Sequence, residues 1–161
     1  IDLSFIVVGL HRAGQDDWDA HAKRFDNRII RSSTRLATYG NEKSDWYKDK
    51  ILTTDEVLDI LEIKSPTEIE YNGKTYVKSV NGYILKEYEN NKDVKRGLYM
   101  LSIPSNFIFR VNLTEFAHVY KERNELGSAN PEVKQCAEMC LSEINKCYPQ
   151  FNRELMMNIQ N

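Results

Sequence analysis

Apolar and polar positions follow several different rhythms along this chain, and each rhythm predicts an element. The run LSFIVVGL, Leu3–Leu10, is apolar and rich in β-branched residues, which predicts a buried strand. GQDD, at residues 14–17, supplies turn and helix-start chemistry. From about Asp16 to about Ser32 the apolar residues Trp18, Ala22, Phe25, Ile29 and Ile30 recur at helical spacing, which predicts an amphipathic helix. Lys23, Arg24, Arg28 and Arg31 make the C-terminal half of that helix basic. The next stretch, RLATYGNEKSDWY at residues 35–47, fits neither a period of 2 nor one of 3.6 and reads as an irregular loop.

Beyond it, Thr53–Ile63 has a Thr cap, acids behind the cap and apolar Val57, Leu58 and Leu61, so a short helix is expected. TEIEYNGKTYVKSV then alternates on both sides of Asn72-Gly73, a strong hairpin signal, and Asn81-Gly82 offers a second turn. Val94 to Leu101 suits a short helix, Pro104 breaks it, and FIFRVN reads as a strand. Thr114 is the expected cap of a helix over EFAHVYKERN, with Phe116, Val119 and Tyr120 inward. Pro131 suits the first turn of a long helix to about Cys147, with Val133, Cys136, Ala137, Cys140, Leu141 and Ile144 on one face. A short helix at about Pro149–Met157 closes the chain. This order predicts an α+β fold with helices packed on a small, mainly antiparallel sheet. We expect one domain over residues 1–161, with the hairpin region at about 66–90 as an insertion.

Composition narrows the classes of function. Hydrophobic residues make up 41% of 161, enough for a core, and the formal net charge of −2 excludes a globally basic nucleic-acid binder. No apolar run approaches the ~20 residues of a membrane span. No signal-peptide pattern opens the sequence, so the cytoplasm is the expected location. Cys136, Cys140 and Cys147 sit in one helical pattern, where free cysteines act as small hydrophobes. His11, His21 and His118 share no ligand spacing with them, and no metal site is expected.

The irregular loop carries the candidate chemistry. Leaving a basic helix, it could hold a phosphorylated nucleotide. Arg35 and Lys134 would neutralise the phosphate, and Ser44 would donate to the phosphate or to a base carbonyl. Glu42 suits a sugar hydroxyl or a base N–H rather than an anion, while Asn41 offers both donor and acceptor. Tyr39, Trp46 and Tyr47 could form a stacking wall. Asn41 and Ser44 equally suit plain turn satisfaction, Trp46 and Tyr47 plain packing, and Arg28 and Arg31 a solvated helix face. The basic run Lys23, Arg24, Arg28, Arg31 and Arg35 leaves RNA or DNA binding as a third reading, the last in rank.

The loop resembles the signature of the flavin-dependent thymidylate synthases (the ThyX family), RHRxxSxNExSxRY. Arg35 takes the last arginine of RHR, Thr38 the serine, and Asn41, Glu42, Ser44 and Tyr47 match after one extra residue, Gly40. Ser33, Thr34 and Trp46 stand where the signature has Arg, His and Arg. A second block resembles the same family in the right order. Asn112 precedes LTEFAHVYKER, with His118 and Arg123 in register, and Ala129, Glu132, Val133 and Lys134 answer AQxEIR.

The resemblance implies a ThyX-like fold and the reductive methylation of dUMP to dTMP. FAD is the implied cofactor, NADPH and methylenetetrahydrofolate the co-substrates, and a homotetramer the implied assembly. It implies catalytic roles for Ser44 and Glu42. Substrate binding falls to Arg35, Glu42, Ser44 and Lys134, and cofactor binding to Arg35, Asn41, His118 and Arg123. The alternative is a divergent pyrimidine-nucleotide-binding homologue without synthase activity.

Overall fold

The computed structural model describes residues 2–20, 28–32, 42–124 and 130–160. The fold is α+β, with two small antiparallel three-stranded sheets where one was expected. The chain divides into two compact units, Ile1–Ser32 with Ser105–Asn161, and Ser33–Pro104.

The first unit is built on a sheet of order β1-β6-β2, from β1 (Asp2–His11), β2 (Arg28–Arg31) and β6 (Pro104–Asn112). One face of it is covered by α1 (Arg12–Ala20), α4 (Leu113–Asn124), α5 (Pro131–Cys147) and α6 (Asn152–Gln160). The shared core joins Leu3 and Leu10 of β1, Trp18 of α1, and Phe107, Phe109 and Val111 of β6 to Phe116, Val133, Ala137, Ile144 and Leu155 of the later helices. Trp18 meets Phe109 edge-on at 5.4 Å, and Phe5 packs 5.6 Å from Phe116. Such aromatic pairs add to plain area burial because ring edges and faces carry opposite partial charge.

Several expectations are corrected here. The helix expected from Asp16 to Ser32 begins earlier, at Arg12, and is described as Arg12–Ala20. Arg28–Arg31 is instead a strand, with Ile29 opposite Phe109 and Ile30 opposite Ile108. Two adjacent β-branched residues fit a pleated strand better than a helix, and pairing with β6 decides between them. Phe25 and Ala22 lie outside the described residues. β1 is not buried on both faces: Leu3 is in the core while Ile6 is 78% and Val8 74% exposed. Its inward and outward positions alternate as the strand period demands. The cap of α4 is Asn112 rather than Thr114, for Asn112 Oδ1 accepts the Glu115 N–H at 2.8 Å. Cys136 and Cys140 face inward as expected, but Cys147 is exposed.

The second unit holds α2 (Thr54–Ile60), α3 (Lys92–Lys95) and the meander β3 (Glu68–Tyr71), β4 (Lys74–Ser79), β5 (Gly82–Leu85). Both expected turns are present, with Asn72, Gly73 and Asn81 in the left-handed backbone region that such turns need. Val77 and Ile84 are register partners and are buried together. The helix expected over Val94–Leu101 starts earlier, because Asn91 caps α3 by accepting from the N–H groups of Asp93 and Val94.

Candidate functional site

Arg35 and Asn41, two of the candidate site residues, lie outside the described residues, as does Tyr39. Glu42 and Ser44 belong to the second unit, and His118, Arg123 and Lys134 to the first.

The loop of the second unit is fixed just after Glu42. Lys43 is buried, and its Nζ donates to both Glu56 oxygens at 2.8 and 2.9 Å and to the Ile51 carbonyl at 2.8 Å. Glu56 is also the far end of a capping box on α2. It accepts the Thr53 N–H at 2.6 Å, and its own N–H donates to Thr53 Oγ1 at 3.1 Å. The Lys43 ammonium first, and the Thr53 N–H second, hold the Glu56 carboxyl below its ordinary pKa. Ser44 is fully buried; its N–H donates to the Ser102 carbonyl at 2.8 Å and its carbonyl accepts the Tyr47 N–H. Lys43 and Ser44 therefore build the loop, and Glu42 presents an exposed carboxylate from it.

The aromatic wall is only half available. Trp46 and Tyr47 stand edge-on at 4.8 Å, and the Lys50 ammonium lies 5.2 Å from the Trp46 ring centre. One face of that indole is thus already occupied by a cation.

In the first unit His118 and Arg123 share α4 but not a face. Five residues turn a helix by about 140°, and Arg123 is buried while His118 is half-buried. Lys134 lies in the first turn of α5, where its backbone N–H donates to the Asn130 carbonyl, and its side chain is half-buried. Arg123 is the unusual member. It is 6% exposed, its Nη2 donates to the Asp17 carbonyl, and its Nε has no hydrogen-bond partner. Burial pushes its pKa down, and the Asp17 carboxylate partly offsets that. Among the described residues it forms no ion pair.

The basic stripe read from the sequence does not hold as a helix face. Arg31 lies on β2 and is bonded to Asp16 and to Asp19, the latter at 3.1 Å, both on α1.

One pair escaped the sequence reading. His11, 1% exposed at the end of β1, bonds through Nδ1 to Glu132 in the first turn of α5. The Glu132 N–H is taken by Asn130 Oδ1, which caps the helix. A carboxylate at a helix N-terminus is favoured by the helix dipole. The pair spans 121 positions, so no local pattern signals it. The contact acts as a clasp between strand and helix.

Among the described residues no group of His, Cys, Asp or Glu converges as metal ligands, and no helix is long and apolar enough to cross a membrane. Compared with known protein families and with curated proteins, the chain matches none.

Proposed function

We propose that the chain binds a phosphorylated pyrimidine nucleotide, as a divergent relative of the flavin-dependent thymidylate synthases. The carrying observation is Arg123: a deeply buried guanidinium with an unpartnered Nε and no ion pair among the described residues. Taking a charge out of water costs several kcal/mol unless an opposite charge comes with it. A buried cation that pairs with no carboxylate among the described residues favours an anionic ligand, and a phosphate answers the planar fork of arginine by two parallel hydrogen bonds. The ordered likeness of the two sequence blocks, which includes Arg123, supplies the pyrimidine.

In its fuller form the proposal is the reductive methylation of dUMP, with FAD supplying the redox chemistry and methylenetetrahydrofolate the carbon. Trp46 in place of the signature arginine, with one ring face already covered by Lys50, favours the narrower reading of nucleotide binding without synthesis. Thermal denaturation with and without dUMP, together with the absorbance spectrum of the purified chain, tests both. A midpoint raised by dUMP supports nucleotide binding, since a ligand selective for the folded state stabilises it. Flavin absorbance in addition supports the synthase. No shift with dUMP overturns the proposal.

A further inference from the structure

The meander of the second unit sorts its side chains by face. Directly opposed residues of paired strands share a face of the sheet, and successive residues alternate between faces. Glu68, Val77 and Ile84 form one row, and Glu70 faces Thr75 in the next. That face is the inward one, since Val77 and Ile84 are buried in it. Its two acids are engaged there, Glu68 by Lys86 Nζ at 3.0 Å and Glu70 by the Thr75 hydroxyl. The other face carries tyrosines and lysines. Tyr71 faces Lys74, Tyr76 faces Leu85, and Tyr83 faces Lys78. Tyr71 is 65% exposed, both lysines are exposed, and Tyr76 and Tyr83 are half-buried.

We infer that this face is a stacking platform for single-stranded nucleic acid. Tyr71 and Tyr76 are diagonal neighbours, since Tyr76 lies two residues beyond the Lys74 that faces Tyr71. Tyr76 and Tyr83 stand in the same relation through Leu85. Diagonal neighbours lie about 7–8 Å apart, so three phenol rings cross three strands in an evenly stepped line. A lysine stands directly across from the first ring and another across from the last. The Tyr83 hydroxyl donates to the Pro66 carbonyl at 2.6 Å, which fixes that ring. Each repeat of a single strand brings one flat base and one phosphate, and this face offers rings to the bases and ammonium groups to the phosphates. An acidic peptide answers the lysines but brings no flat ring at each step, and a duplex keeps its bases stacked inside. Charge plays the smaller part. Asp59 and Glu62 stand with Lys64 beside Lys78, and Glu87 stands with Lys86 beside Lys74. Stacking therefore carries the affinity, and two phosphate contacts set the slope of log K against log salt at about −1.4. This inference uses the second unit alone and is independent of Arg123 and the nucleotide reading.

Fluorescence anisotropy with labelled oligothymidylate and oligouridylate tests it on the whole chain, with a DNA duplex of the same length and oligoglutamate as competitors. Far-UV circular dichroism checks the folding of each variant. The expected result is binding of at least one single strand that neither competitor displaces. Tyr71→Ala should weaken that binding about tenfold, as the loss of one stacked base does, and Tyr71→Phe should retain it. Lys74→Gln and Lys78→Gln should each reduce the salt slope by about 0.7. They serve as the site variants should Tyr71→Ala fail to fold. Glu70→Gln, on the inward face, should bind as the parent does. Failure of both single strands to bind, displacement by the duplex or by oligoglutamate, or parent-like binding by folded Tyr71→Ala overturns the proposal. An unchanged salt slope in both lysine variants overturns it as well.

Discussion

His11 and Glu132 meet in the first unit although 121 positions separate them, and the imidazole Nδ1 and backbone N–H of His11 both engage one carboxylate oxygen. The contact ties the end of β1 to the start of α5. Gly14 completes its surroundings: a Cβ at that position would lie 2.6 Å from His11 Cε1 and 2.9 Å from Val133 Cγ2. Glu132→Ala should therefore destabilise the fold by about 1–3 kcal/mol, the usual cost of leaving a buried polar group without its partner. Gly14→Ala should cost a similar amount, about 1–3 kcal/mol, through overpacking. Chemical denaturation measures both, and wild-type midpoints for the two variants would show the clasp to be idle.

Arg123 gives a prediction of opposite sign with and without ligand. Arg123→Met removes a buried charge that pairs with no carboxylate among the described residues, so the free protein should be as stable as the parent or more so. The same change should abolish the rise in melting temperature with dUMP. A variant that loses stability without ligand, yet keeps the dUMP shift, would assign Arg123 to the fold alone.

Glu56 predicts a pH dependence. Its folded pKa lies below the ordinary 4.5, chiefly through Lys43, so the folded state binds this proton more weakly than the unfolded chain does. The contribution is complete above pH 4.5 and is lost as pH falls through the depressed folded value. Glu56→Gln should flatten that part of the acid stability curve and lower stability at neutral pH. Thermal melts across the acid range decide it; parallel curves for parent and variant would refute the assignment.

Glu62 ends α2 with φ of 57°, in the left-handed region where a Cβ is crowded. The Ile63 N–H reaches back to the Leu58 carbonyl at 2.8 Å, the closing bond of a helix end that normally uses glycine there. Glu62→Gly should stabilise the second unit by about 1 kcal/mol. A lower denaturation midpoint for the variant would mean that the carboxylate contributes more than its backbone strain costs.

Local signals in the sequence were sufficient for the elements that local chemistry decides. Thr53 with Glu56 in α2, Asn72-Gly73 and Asn81-Gly82 in the meander, Pro131 at the start of α5 and the helical face from Val133 to Ile144 each depend on residues a few positions apart. The α+β class follows from their order. The candidate loop was visible as a composition without a period, and the division of labour within it was not. Only the fold shows Lys43 and Ser44 committed inward and Glu42 outward.

Tertiary structure alone decided what distant partners decide. Ile29 and Ile30 fit a helix by spacing and lie in a strand because Phe109 and Ile108 are there to pair with them. Burial of Arg123 against the Asp17 carbonyl and the His11 clasp on Glu132 are likewise absent from any local window. A sequence states the period and chemistry of each segment. Which face of a segment is covered, and by what, is a free-energy comparison that exists only once the segments have met.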